Sequence, residues 1–243
     1  MKTLFIVCLF FSLILISGCY SEDGSENSSI LGNPSTLVSP SKPPTHAESE
    51  FGTVVPRTVT NLEVIQVSNG ICGKIEPTNS SVRATAVTLA KETPGEWNVN
   101  QFVDLYIWMK KNIVYVNDPV GTEYFALASE TLTLGAGDCE DQAILITSLI
   151  RSVGGTAKVV YAPDCQHAFA SVYISDSKEK YDLIRQDIAQ IYWDKGIYDL
   201  QGSYFFGYSD DQGYWLNVDP AGGFYLGDTY PQCRDAKSYP LSC

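Results

Sequence analysis

The sequence predicts an α+β domain carried behind an export leader and a tether. Three observations point there. Ala143, Ile146, Ile150 and Val153 recur at i, i+3, i+7 and i+10 and stop at Gly154-Gly155, the mark of an apolar helix stripe with a glycine terminator. Beyond it, the segments 157–161, 168–174 and 214–218 are β-branched or alternate between apolar and polar residues, as strands do. Residues 1–50 hold neither period.

In chain order, the leader comes first. One lysine, Lys2, precedes the apolar run Leu4–Ile16. That is the build of a signal peptide, and it falls short of the ~20 residues that cross a bilayer comfortably. A short transmembrane anchor is the alternative. The run ends Ile16-Ser17-Gly18-Cys19. These four residues resemble a lipobox, the cleavage and lipidation site of prokaryotic lipoproteins. The resemblance implies that residues 1–18 are removed and that Cys19 becomes a lipidated N-terminus. The domain is then exported and anchored to the cell membrane without spanning it, facing away from the cytoplasm.

Residues 19–50 are rich in Ser, Glu and Pro (Pro34, Pro40, Pro43 and Pro44) and sparse in apolar side chains. Such a stretch buries too little to offset its ordering entropy and reads as a disordered linker. The folded domain is expected over 51–243, long enough for a single sizeable core. Net charge is −12, with no basic stripe. That composition argues against nucleic acid, which rewards clustered Lys and Arg.

Seven cysteines are present. Export would discard Cys8 and lipidate Cys19. The remaining Cys72, Cys139, Cys165, Cys233 and Cys243 are odd in number, so two disulfides leave one thiol. Counting does not say which. Cys139 has the most unusual setting, Gly137-Asp138-Cys139-Glu140-Asp141-Gln142, at the start of the 139–153 helix. Asp138 is a good N-cap, answered by Asp141 or Gln142 from the first turn. A helix N-terminus favours thiolate over thiol, and its free N–H groups can hold an oxyanion. The plain alternative is a small buried hydrophobe or a disulfide partner.

A thiolate nucleophile needs a base. His46 lies in the linker, which leaves His167 as the usable imidazole, opening the 168–174 strand. Asp219 ends the strand Tyr214–Val218 just before Pro220. A carboxylate there can bind the far imidazole nitrogen and fix its tautomer. The alternatives are a structural histidine and an aspartate that caps a turn. A single usable histidine and the lack of a Cys-x-x-Cys pair argue against a zinc site, and no other metal or cofactor is implied.

Taken together, Gly137-Asp138-Cys139-Glu140-Asp141 opening an apolar helix, a Val-Val-Tyr strand, His167 opening the next strand, and Trp215-Leu216-Asn217-Val218-Asp219-Pro220 resemble the transglutaminase-like superfamily. Gln101–Tyr115 resembles its lead-in helix, and Ala128–Leu132 the approach to the nucleophile. The resemblance implies a papain-like core, with N-terminal helices packed on an antiparallel sheet, and a catalytic triad of Cys139, His167 and Asp219. Residues 175–212 depart from the pattern. They read as an insert with a helix at Lys178–Trp193 and an aromatic run at 204–208, serving either as a lid or as added packing. The insert also supplies rival acids, Asp194 and Asp199.

The function implied is thiol-dependent acyl transfer or amide hydrolysis on an extracytoplasmic peptide or protein, cell-wall peptide included. Two alternatives stand beside it. One is a non-catalytic binding or assembly module on the same fold. The other is redox control through a Cys139–Cys165 pair. Against the latter, Cys72, Cys165, Cys233 and Cys243 are expected to form two structural bridges.

Overall fold

The computed structural model describes residues 39–44, 60–96 and 98–243. The leader, Cys19, most of the linker and His46 lie outside the described residues.

Three helices open the domain, each started by a side chain that satisfies a free amide. They are α1 (Asn61–Cys72), capped by Thr60, α2 (Ser80–Ala90), capped by Asn79, and α3 (Val99–Asn112), capped by Asn98. The lead-in helix is shorter than the sequence suggests. Ile113 turns extended (φ −111°, ψ 116°), and Val114–Tyr115 becomes a two-residue strand, β1. After a loop and the short helix α4 (Ala128–Leu134), β1 pairs in parallel with β2 (Ala136–Gly137), Tyr115 opposite Gly137. That pairing brings Tyr115 beside the chain that leads into Cys139.

Helix α5 (Cys139–Ser152) begins where the cap predicts, with the Asp138 carboxylate accepting from the Asp141 amide at 3.3 Å. The reciprocal bond does not form. The Asp141 carboxylate instead accepts from the Ala126 amide at 2.8 Å, and Gln142 donates to the Gly137 carbonyl at 3.1 Å. Both bonds tie the chain that approaches the nucleophile to the first turn of α5. Gly137 allows this: a Cβ there would sit 2.6 Å from that of Asp141. The predicted stripe understates the burial of α5. Helices pack on one side and a sheet on the other, so nearly every residue from Asp141 to Ile150 is buried.

The sheet is antiparallel, in the order β5-β6-β4-β3-β7, from β3 (Ala157–Ala162), β4 (His167–Ser175), β5 (Gly207–Asp210), β6 (Gly213–Val218) and β7 (Tyr239–Pro240). β3 and β4 join through a tight turn at Pro163–Cys165, with Gln166 in the left-handed region (φ 50°). Ala162 therefore pairs with His167 at the very end of the ladder. The insert holds α6 (Lys178–Asp194), which packs on α3 and β4. Part of its aromatic content serves packing: Tyr192 is buried against Tyr198 and Tyr225, and Phe205 meets Tyr225 edge-on, while Tyr204 and Trp193 are exposed.

Two disulfides close the domain, Cys72–Cys243 and Cys165–Cys233. The structural pairing holds, and the Cys139–Cys165 bridge does not form. Residues 39–44, read as linker, run beside the insert. Ser41 bridges to Tyr198, and Lys42 reaches the Gln201 carbonyl at 2.6 Å and Asp199 at 3.2 Å.

Candidate active site

Cys139 is the free cysteine among the described residues. It is 6% exposed, at the first position of α5. The Ala168 amide points at its sulfur, so the start of β4 lies directly against the start of α5. The thiol itself donates to Glu140 Oε2 at 2.9 Å, not to His167. The Tyr115 hydroxyl also reaches Cys139.

The electrostatics of the thiol run against the simple helix argument. The helix N-terminus contributes about 0.3–1 kcal/mol toward the thiolate, less than one pKa unit. Burial alone can move a group by several units. Here burial, then Glu140, then Asp138 push the Cys139 thiol well up, and the Ala168 amide opposes them without prevailing. The expectation of a thiolate poised by its helix is corrected on this point.

His167 and Asp219 meet as expected. His167 Nε2 lies 2.9 Å from Asp219 Oδ2, with both residues buried and Asp219 fully so. Oδ2 also accepts from Thr229 Oγ1 at 3.1 Å and from the Tyr230 amide at 3.0 Å, while Oδ1 accepts from the Gly222 amide at 2.8 Å. The backbone is held as well: the Tyr106 hydroxyl of α3 donates to the Asp219 carbonyl at 3.1 Å and Lys110 to the Pro220 carbonyl at 2.9 Å. Burial works against both charges. For His167 it is outweighed by Asp219, then by Glu140 and Asp138, so its pKa is raised. For Asp219 it is outweighed by the charge and hydrogen bond of His167 and by the two amides, so its pKa is lowered. The rival acids are elsewhere: Asp194 accepts from Gln190, and Asp199 pairs with Lys42.

The Cys165–Cys233 bridge ties the two supports of this pair together. Cys165 precedes Gln166-His167, and Cys233 follows Tyr230, whose ring lies 5.5 Å from the His167 ring.

Cys139 opens into a cleft of ≈ 490 Å³ formed by the 115–123 loop, Asp138, Glu140 and Gln166. The insert contributes no residue to it. The reading of the sequence missed Tyr115 and Gln166. Tyr115 was hidden inside an apparent helix. For Gln166 the signal was its place just before the histidine, in a turn that needs a left-handed residue.

A family model described as the transglutaminase-like superfamily matches residues 83–220, more than half of the chain and the span that carries all three site residues. The chain belongs to the transglutaminase-like superfamily. Among solved structures it is similar to a "putative cysteine protease" from Cytophaga hutchinsonii at 15% identity and TM-score 0.37, covering 78% of this chain and 60% of that one. It is also similar to a "putative protease" from Parabacteroides distasonis at 11% identity and TM-score 0.37, covering 45% and 24%. The chain thus spans less than two thirds of either protein. No curated protein matches it.

Proposed function

We propose that this domain is a thiol-dependent acyltransferase or amide hydrolase acting on peptide or protein substrates outside the cytoplasm. The observation that carries the proposal is the buried His167–Asp219 pair at 2.9 Å, set at the strand end whose Ala168 amide touches the free Cys139. Asp219 holds His167 by Nε2, which leaves Nδ1 to exchange a proton with the thiol. Cys139 attacks the amide carbonyl, and a carbon–sulfur bond forms as the thiol proton passes to His167. The Cys139 amide and the Tyr115 hydroxyl stabilise the oxyanion. The carbon–nitrogen bond then breaks, and His167 returns the proton to the departing amine or ammonia. Water, or a second amine, resolves the thioester with His167 again as base.

One observation favours the alternative of a binding module: in the resting domain Glu140, not His167, holds the thiol. An amide-release assay separates the two. Peptide amides should release ammonia or amine with the native protein and not with Cys139→Ala or His167→Ala. Release that survives Cys139→Ala sinks the thiol mechanism.

The location is part of the proposal. The lipobox-like Cys19 would anchor the chain, and the two disulfides suit an oxidising compartment. Among the described residues no helix is long and apolar enough to cross a membrane. Cys19→Ala is expected to release the protein from membranes, and a variant that still sediments with them after a high-salt wash would contradict the anchor.

A further inference from the structure

The chain carries 28 acidic against 16 basic side chains, so a cationic cleft is not what its composition favours. One lies at the far end of α5, about 20 Å along the helix from Cys139 at 1.5 Å per residue. This cleft of ≈ 600 Å³ sits between the C-terminal ends of α2 and α5 and the loop that leads into α3, and Arg83, Lys91 and Arg151 line it. No aspartate or glutamate does: Glu92 and Glu96 of the same loop do not line it. Elsewhere cations meet acids, Lys42 with Asp199, Lys158 with Asp210, Lys195 with Asp104 and Arg234 with Asp228. Among the described residues no Asp or Glu pairs with Arg83, Lys91 or Arg151.

Part of this charge serves the fold. Arg83 donates to the Ser152 carbonyl at 2.8 Å. Arg151 donates to the Ala157 carbonyl at 2.6 and 2.9 Å and reaches the Cys243 carbonyl at 3.4 Å. A helix C-terminus carries about half a negative charge. Two such ends offset about one of the three cations, and an excess remains.

Gln101 gives the second, independent observation. It lines the same cleft and is only 4% exposed. Its Nε2 donates to the Thr93 carbonyl at 3.0 Å, which fixes the amide, and its Oε1 is buried without a hydrogen-bond partner among the described residues. A buried carbonyl oxygen is costly without a donor. The cleft thus calls for a ligand with two features close together, an anion for the cations and an N–H for Gln101. The free C-terminus of a peptide has both, with its carboxylate one carbon away from its last amide. Val87, itself 43% exposed, and Pro94 offer apolar surface to the last side chain.

We propose that this cleft is a second binding site, which takes the free C-terminus of a peptide or protein. The carboxylate sits on Arg83, Lys91 and Arg151, the last N–H on Gln101, and the last side chain against Val87 and Pro94. The site is separate from the Cys139 cleft, and the inference does not depend on the thiol chemistry.

The test is the binding of N-dansyl-trialanine to the full chain, read by fluorescence anisotropy. Three forms are compared: the free acid, the C-terminal amide, and the depsipeptide acid in which an ester replaces the last N–H. The acid is expected to bind about tenfold or more tighter than the amide at low salt, and about fivefold tighter than the depsipeptide. In Arg83→Gln/Lys91→Gln, which changes two exposed side chains, acid and amide should bind within about twofold of each other. In Gln101→Met the acid and the depsipeptide should converge. Both differences should persist in Lys178→Gln/Lys180→Gln, on α6. No saturable binding of the acid, equal binding of acid and amide, or an acid preference that survives Arg83→Gln/Lys91→Gln overturns the inference. So does displacement of the probe by inorganic phosphate as readily as by unlabelled trialanine acid, which would mark a site for simple anions.

Discussion

The two halves of the site are built on opposite terms. The His167–Asp219 half is saturated: Asp219 is fully buried and takes bonds from an imidazole, a hydroxyl and two amides. The Cys139 half is left uncompensated. Its thiol is buried beside the carboxylates of Glu140 and Asp138, and no lysine or arginine lines its cleft. One half is held by a full set of donors, and the other keeps its nucleophile as a thiol beside carboxylates.

The largest effect should come from breaking the saturated half. Asp219→Asn keeps the shape but sets an amide NH₂ among donors and leaves His167 without its counter-charge. A cost of about 3–5 kcal/mol in denaturant unfolding is expected, as for other broken buried pairs. A loss below ~1 kcal/mol would mean that the pair is not load-sharing in the fold.

The disulfides sharpen the same contrast. Removing either is expected to cost about 2–5 kcal/mol, and the loop closed by Cys72–Cys243 is the longer one. The two should part in chemistry. Cys165→Ser/Cys233→Ser frees the turns that carry His167 and Tyr230, and should slow Cys139 alkylation. Cys72→Ser/Cys243→Ser, which ties the end of α1 to the chain terminus, should leave that rate within about twofold. Equal effects on the rate would remove any special role for the inner bridge.

A smaller effect is expected at the other half. Glu140→Gln removes the nearest charge from the thiol, and should raise Cys139 alkylation at pH 7 about tenfold, roughly one pKa unit of relief. Stability should move within about 0.5 kcal/mol, since the residue is half-buried at a helix start. A slower rate would show that Glu140 assists the thiol instead of restraining it.

The gentlest probe is pH. His167 binds its proton more tightly in the folded state, so its contribution to stability is complete below the ordinary imidazole value of about 6.5 and is lost as pH rises through its raised pKa. Asp138, pushed up to about 7, adds a fall between about 4 and 7, because its charge is disfavoured when folded. Asp219 has the opposite sign and loses stability only as pH drops below the ordinary carboxylate range. The melting temperature should peak near pH 5 and decline toward pH 8. Asp138→Asn, still a good helix cap, should flatten the decline between pH 5 and 7. A flat profile in the native protein would contradict the unmatched charge at the cleft.

How much of this was legible follows from the range of the signals. The start of α5 is local: Asp138, the apolar stripe and Gly154-Gly155 mark both ends of the helix, and the structure starts and stops it there. The alternation before Pro220 likewise located the strand that delivers Asp219 to His167. The sign of the thiol's shift was not local. Its first cause is burial, which comes from tertiary folding, although the two carboxylates that add to it, Glu140 and Asp138, are the neighbours of Cys139 in the chain. β1 was hidden because Ile113-Val114-Tyr115 continues an apolar pattern in a helical register. Only its partner, Ala136–Gly137, makes it a strand. The docking of residues 39–44 on the insert was hidden too, since it rests on Ser41 and Lys42 finding Tyr198, Asp199 and Gln201 far along the chain.

The central claim is that Cys139 and His167 act as one chemical unit. The most direct measurement is the rate of iodoacetamide alkylation across pH 6–8, with peptide mapping, for the native protein and His167→Ala. The account predicts that Cys139 is the residue labelled and that its rate falls by about a hundredfold or more without the imidazole. An unchanged rate in His167→Ala, or labelling at another cysteine in place of Cys139, would contradict it.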